Sequence, residues 1–225
     1  MTILVVGTPQ NYDEITAKFG VKHQMIHAED LSDIKEEDFF KAEVVFDFLA
    51  HETPESLAFY EQKPEMPVFT HMALSAFGEI AVYAPPIHNP LFGFNGFPTF
   101  VNRSVLECTL SDEEDKQVLP QVCENLGTDF QLVDDRVGMV TPRIIFMIIN
   151  EAYYTVQEGT ASKEDIDLGM KLGTNYPYGP FEWCELIGIL NVVELLEAIY
   201  EDTKEERYKI CPLLKKEYLL AMAQN

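Results

Sequence analysis

The run from Val140 to Val156 constrains the fold of this chain more than any other stretch. Apolar side chains recur at Val140, Ile144, Ile145, Met147, Ile148, Ala152 and Val156, and Phe146 and Ile149 carry apolarity almost round the cylinder. A helix of that composition must be covered on several sides. Its flanks predict more helices. Gly159 stands where a C-terminal glycine stop belongs. Ser162-Lys-Glu-Asp165 has the form of a capping box, in which a hydroxyl takes a free backbone N–H and the acid reaches back. Asn175-Tyr-Pro-Tyr-Gly-Pro180 is a turn cluster, and Pro180 suits the first position of a helix running to about Tyr200. Residues 136–225 therefore read as an all-helical domain.

Residues 1–135 have another period. Thr2-Ile-Leu-Val-Val-Gly7 is a β-branched run ending in glycine, as a buried strand of a parallel sheet does. Further strands are predicted at His23–Ile26, Ala42–Leu49, Pro67–Thr70, Ile80–Tyr83 and Val105–Leu110, with Asp129–Asp134 closing the unit. Helices are predicted at Asn11–Phe19, Pro54–Tyr60, Leu74–Glu79 and Asp112–Leu126. Strands alternating with helices over short links give a reduced Rossmann-like α/β sheet.

A formal net charge of −22 repels nucleic-acid phosphates and anionic lipid surfaces, so neither is an expected partner. The same charge opposes any polyanionic ligand. Lys204, Lys209, Lys215 and Lys216 are the clustered cations, but Glu205, Glu206 and Glu217 are interleaved with them, which describes a solvated face. The four cysteines lack metal-site spacing and are expected as buried free thiols. The start has no basic leader and no run is long enough to span a bilayer, so a reducing cytoplasm is the expected location.

Several strings recur together and in order: Glu158-Gly159, Glu164-Asp-Ile-Asp167, Lys171-Leu-Gly173, Pro177-Tyr-Gly-Pro-Phe-Glu182, Leu186-Ile-Gly188, Arg207-Tyr208 and Pro212-Leu-Leu214. Over about the last ninety residues the chain resembles the C-terminal domain of the 3-hydroxyacyl-CoA dehydrogenases. That resemblance implies a homodimer through the helical domain, an NAD site on the α/β domain, an acyl-CoA-like ligand, and a His–Glu catalytic pair.

The first half departs from what the resemblance implies. A dinucleotide site needs glycines after the first strand, but Gly7 is followed by Thr8-Pro9-Gln10-Asn11, and Pro9 lacks an N–H for phosphate. Glu29, near the end of the second strand, stands where an acid would hold the ribose. Pro85-Pro-Ile-His-Asn-Pro90 resembles the family's His-aromatic-aromatic-Asn-Pro motif at Asn89-Pro90, with Pro86 where the histidine belongs and His88 two places late. Gap-free alignment puts the orienting acid near Arg103 or Pro98, the latter with an insertion around Gly93–Phe97; Glu107 is recovered by allowing gaps on both sides. The substrate-contacting serine falls near Leu74, beside Ser75, and the family's Asn-Arg becomes Pro142-Arg143.

Two readings follow. In the first, the chain is a catalytically degenerate homologue, without a cofactor, that acts through ligand or partner binding. In the second it is an active NAD-dependent dehydrogenase with relocated residues, His88 as base and Glu107 orienting it, Asn89, Arg143 and Ser75 lining the cleft, and Gly7 at the cofactor. Neither reading includes a metal.

Overall fold

The computed structural model describes residues 1–224, which divide into two compact units, 1–139 and 140–224. The division falls four residues beyond the expected one, because Gly138 N–H still bonds the Ala73 carbonyl at 2.7 Å.

The first unit is built on seven strands: β1 (Thr2–Val6), β2 (Gln24–Ala28), β3 (Val44–Asp47), β4 (Val68–His71), β5 (Leu91–Phe94), β6 (Val105–Leu110) and β7 (Asp129–Leu132). They lie in the order β2-β1-β3-β4-β5-β6-β7, all neighbours parallel except the antiparallel β5–β6 pair. Helices α1 (Pro9–Phe19), α2 (Glu36–Lys41), α3 (Phe77–Ile80) and α4 (Leu119–Leu126) cover the sheet, with a 3₁₀ stretch at Pro54–Gln62. On one face Ile15 and Phe19 of α1 and Leu119, Val122 and Leu126 of α4 pack with Val5, Phe46, Phe69 and Phe94. On the other, Phe39, Leu57, Tyr60 and Phe77 pack with Leu4, Val45, Val68 and Leu91. Strands β3, β4 and β5 are therefore buried on both faces, which removes alternation from their sequence.

The expected strand at Ile80–Tyr83 is instead the last residue of α3 and the turn that follows it, with Val82 and Tyr83 exposed. The strand that pairs with β4 is Leu91–Phe94, so this segment is sheet and not an insertion. Pro54–Gln62 takes the tighter 3₁₀ form, and Asp112–Leu126 breaks into a 3₁₀ turn and α4.

The second unit comprises α5 (Thr141–Gln157), α6 (Lys163–Thr174), α7 (Pro180–Ile187), α8 (Ile189–Thr203) and α9 (Pro212–Met222). The single helix expected from Pro180 is two helices, because Gly188 takes φ +93°, which ends α7 and turns the chain into α8. Phe146 and Ile149 of α5, Trp183 of α7 and Val193 and Leu196 of α8 are all buried, and α5 packs on both α7 and α8. Asn150, also buried, accepts the Cys211 N–H at 2.8 Å and donates to the Lys209 carbonyl at 2.9 Å, tying α5 to the segment before α9. The Pro-Tyr-Gly-Pro turn has a local cause. Asp167 accepts the Phe181 and Glu182 amides that open α7, and a Cβ on Gly179 would lie 2.3 Å from its carboxyl. Glu182 takes the Gly179 N–H at 3.0 Å and pairs with Lys171. Ser162 caps α6 as expected, but its hydroxyl takes up the Asp165 carboxylate, which therefore does not reach the backbone.

Candidate functional site

In an open parallel sheet, ligands bind outside the carboxyl ends of the strands, at the point where strand order reverses. Here that point lies between β1 and β3. Gly7 ends β1 with φ +148°, a conformation that favours glycine. Two side chains stand close against it: a Cβ on Gly7 would meet Asn11 Oδ1 at 2.8 Å and Phe48 Cβ at 3.0 Å. Two amides at the α1 N-terminus are internally satisfied: Asn11 Oδ1 accepts the Thr8 N–H at 2.9 Å and Thr8 Oγ1 accepts the Asn11 N–H at 3.3 Å, while Pro9 has none to give. At the end of β2, His27 Nε2 donates to the Gly7 carbonyl at 2.9 Å and its ring stacks on Tyr12 at 4.7 Å.

Further along the same edge lies a buried polar cluster that the sequence did not single out. Asp47 ends β3 and accepts from Leu49 N–H (2.7 Å), Ala50 N–H (3.0 Å) and the Tyr60 hydroxyl (2.6 Å). Burial raises its pKa, while these three bonds pull it back. His71 ends β4, and its Nδ1 accepts the Gly96 N–H at 2.9 Å. Its ring meets His51 edge-on at 5.1 Å and Phe97 at 4.8 Å. Burial first, and the neighbouring His51 second, lower its pKa to about 3, so it is neutral near pH 7. His51 is lowered too, mainly by burial, and its Nδ1 is buried without a hydrogen-bond partner. Beyond β5 the chain continues as Asn95-Gly-Phe-Pro98, and Asn95 N–H bonds the Glu107 carbonyl on β6 at 3.3 Å, extending the antiparallel ladder.

Residues 138–221 match the 3-hydroxyacyl-CoA dehydrogenase C-terminal domain. Those residues are similar to such a domain. Two relatives are similar to part of the chain. The 3-hydroxyadipyl-CoA dehydrogenase of Escherichia coli K12 is 46% identical over 88 residues, 39% of this chain and 18% of the relative. The 3-hydroxybutyryl-CoA dehydrogenase of Bradyrhizobium diazoefficiens is 32% identical over 106 residues, 47% of this chain and 36% of the relative. The chain thus spans less than half the length of these relatives. The fold matches over nearly the whole chain. FadB2 of Mycobacterium tuberculosis has TM-score 0.74 at 18% identity, covering 97% of this chain and 93% of that one. (S)-3-Hydroxybutyryl-CoA dehydrogenase of Ralstonia eutropha has TM-score 0.72 at 18% identity, covering 98% and 94%.

Set on this dehydrogenase fold, the expected site residues separate. His88 lies at the amino end of β5, with its side chain 80% exposed and Nδ1 3.0 Å from Glu61. The seven residues from His88 to Asn95 put it roughly 20 Å from the carboxyl edge. Asn89 is buried beside it and braces the loop, its Nδ2 donating to the Lys63 and Met66 carbonyls at 2.8 and 2.9 Å. Neither lines a cleft at the ligand edge. The Asn-Pro pair that suggested the dehydrogenase motif is the lead-in to a strand. Ser75 does follow the carboxyl end of β4, half-buried, with its hydroxyl 3.9 Å from Met72 Sδ. Arg143 belongs to the helical unit, where it donates to the Tyr208 hydroxyl at 3.1 Å and lies 3.9 Å from Asp202. Glu107 is the one expected pair member on the right strand, and the residue opposite it is Asn95. The signal for that placement was the compact run Leu91-Phe-Gly-Phe94, whose Gly93 leaves room for Thr109 and Met72. Among the described residues no group of three or more His, Cys, Asp or Glu is placed to hold a metal, and no helix is long and apolar enough to cross a membrane.

Proposed function

We propose that this chain is a 3-hydroxyacyl-CoA dehydrogenase homologue that no longer transfers hydride and acts by binding an acyl-CoA-like ligand or a protein partner. The observation that carries this reading is Asn95 opposite Glu107. The family resemblance calls for a histidine base on the strand before the one bearing the orienting acid. A carboxamide takes no proton near neutral pH, and general acid–base catalysis is worth about 10²–10⁴-fold. His71, the nearest imidazole on that edge by strand, is held neutral with its Nδ1 lone pair on Gly96 N–H. His88 faces the opposite edge. The turn after β1 fits a dinucleotide pyrophosphate poorly, since Asn11 and Thr8 take up two of its amides, Pro9 has none, and Phe48 stands 3.0 Å from where a Cβ on Gly7 would lie. No step through NAD is therefore drawn.

The test is turnover. Purified protein mixed with NADH and acetoacetyl-CoA is expected to oxidise no NADH above the buffer rate. Turnover that His88→Ala abolishes, with the circular dichroism spectrum unchanged, would establish the active reading instead.

The helical unit is also proposed to form a homodimer. Val140 and Ile144 of the α5 region are about half exposed. Arg143, Ile144, Met147, Ile148, Glu151, Arg207 and Tyr208 line an open hollow of about 580 Å³ on that unit. Cations and an acid on one apolar face allow self-complementary pairing about a two-fold axis. Light scattering at micromolar concentration is expected to give twice the chain mass, and Ile144→Glu to give the chain mass. A wild-type monomer would refute the dimer.

A further inference from the structure

Between α3 and β5 the chain leaves a space that its own side chains do not fill. Ile80 ends α3, residues 81–84 turn, and Pro85-Pro86-Ile87 lead back to the amino end of β5. The two prolines have no N–H to give a ladder, which keeps this lead-in off the sheet. The hollow has a volume of about 270 Å³ and is lined by Leu57, Phe77, Ile80, Ala84, Ile87 and Leu91 among others, with Ser111 as its one polar side chain. Leu57, Phe77, Ile80 and Leu91 are buried and belong to the core, whereas Ser111 is exposed and marks the mouth. An apolar cavity of about 150 Å³ is enough to take up benzene, so this one has room for a ring or a short alkyl chain. Leu91 opens β5 and Ser111 follows its antiparallel neighbour β6, which puts the hollow at the edge opposite Gly7, Asp47 and His71.

The segments around the hollow carry one sign of charge. Residues 54–62, 77–91 and 105–115 supply every lining side chain and contain no lysine or arginine. Glu79 on α3 and Asp112 and Glu114 just beyond Ser111 are exposed. The flanking cations are engaged elsewhere: Lys63 donates to the Phe40 carbonyl at 3.2 Å, Lys116 lies 3.5 Å from Glu113, and His88 lies 3.0 Å from Glu61. An apolar hollow with an acidic rim draws cations and turns anions away. The hollow on the helical unit differs, since Arg143 and Arg207 stand at it. We propose that the hollow between α3 and β5 binds a small amphiphilic amine, a primary ammonium on an alkyl or aryl body. The apolar body covers Phe77, Ile80 and Leu91. The ammonium stays at the mouth, where the Ser111 hydroxyl accepts one of its N–H groups and Asp112 and Glu114 supply the field. A carboxylate on the same body would meet acids alone.

Hexylamine, hexanoate and hexanol share a chain and differ in charge, and they are the probes. The full chain, methyl-labelled at isoleucine and leucine, would be titrated with each at neutral pH and low salt and followed by NMR. Hexylamine is expected to shift the Leu57, Ile80, Ile87 and Leu91 methyls saturably, with a dissociation constant of about 1 mM, and to leave Ile144 and Ile148 of the helical unit unmoved. Hexanoate should bind at least about tenfold more weakly, and the difference should shrink in about 1 M salt. Each methylene added from butylamine to hexylamine should tighten binding about fourfold. Asp112→Asn keeps an acceptor for the Glu114 N–H and removes the charge, so it should weaken hexylamine and leave hexanol unchanged. Ala84→Phe, half-buried at the rim, should abolish the shifts from all three. No saturable shift up to about 10 mM hexylamine would overturn the proposal. So would hexanoate binding as tightly as the amine, or equal shifts at Ile144 and Ile148. None of these outcomes depends on a variant folding.

Discussion

Replacing Asp47 by alanine is expected to destabilise the α/β unit by about 3–5 kcal/mol, because it strands three buried donors together. Leu49 N–H, Ala50 N–H and the Tyr60 hydroxyl all bond this one carboxyl, and Asp47, Ala50 and Tyr60 are at most 1% exposed. Each buried donor left without an acceptor costs about 1–3 kcal/mol. Relief of the desolvation that raises the Asp47 pKa recovers part of that sum. Asp47→Asn separates the two effects. Its amide oxygen keeps both backbone bonds, its NH₂ group donates to a Tyr60 hydroxyl turned to accept, and no charge is buried. The asparagine variant is expected within about 1 kcal/mol of wild type by urea unfolding. A loss below about 1 kcal/mol for the alanine variant would contradict the hydrogen-bond account.

Acid should weaken the α/β unit through His71. The folded pKa is about 3, against about 6.5 for an unfolded histidine. The unfolded chain therefore takes the proton first. The stabilisation from keeping His71 neutral is complete above pH 6.5 and is lost as pH falls from there towards 3, by at most about 1.4 kcal/mol per unit. Between pH 6.5 and 5 that is about 2 kcal/mol. His51 shifts in the same direction and adds to the loss. Asp47, Asp115 and Asp135 have raised pKa values and oppose it, since the folded state then protonates more readily than the unfolded one. His71→Asn isolates the imidazole. Its side-chain oxygen can stand near the Nδ1 position and accept the Gly96 N–H, but it does not titrate. The difference in stability between wild type and His71→Asn, from urea melts at each pH, is expected to shift by about 2 kcal/mol against wild type from pH 6.5 to 5. Parallel pH profiles would rule out His71 as the cause.

The helical unit was legible because its signals are local. Gly159 stops α5, Ser162 caps α6, and the Pro-Tyr-Gly-Pro turn opens α7 where the sequence put them. Only Gly188 misled, since a glycine inside an apolar helical run does not announce φ +93°. The sheet was harder. β5 is four residues buried on both faces, with no alternation to mark it, whereas Ile80–Tyr83 reads as a β-branched run and is a turn. That one displacement carried the site with it: with Leu91–Phe94 unrecognised, Asn89-Pro90 became the only match to the dehydrogenase motif. The pairing of Asn95 with Glu107 depends on an antiparallel register between segments twelve residues apart, which composition does not encode. The Asp47–Tyr60 and His51–His71 contacts likewise arise from adjacent strand ends and a returning 3₁₀ stretch.

We propose that the α/β unit keeps a Rossmann-like fold but lacks a working phosphate cradle for a dinucleotide. Calorimetric titration of the purified chain with NADH tests it directly. With two amides of the β1–α1 turn taken by Asn11 and Thr8 and a third position occupied by Pro9, no saturable heat is expected up to about millimolar NADH, corresponding to binding weaker than about −4 kcal/mol. A micromolar dissociation constant, lost on Gly7→Val in a variant that still folds, would show that the cradle is functional and contradict the account.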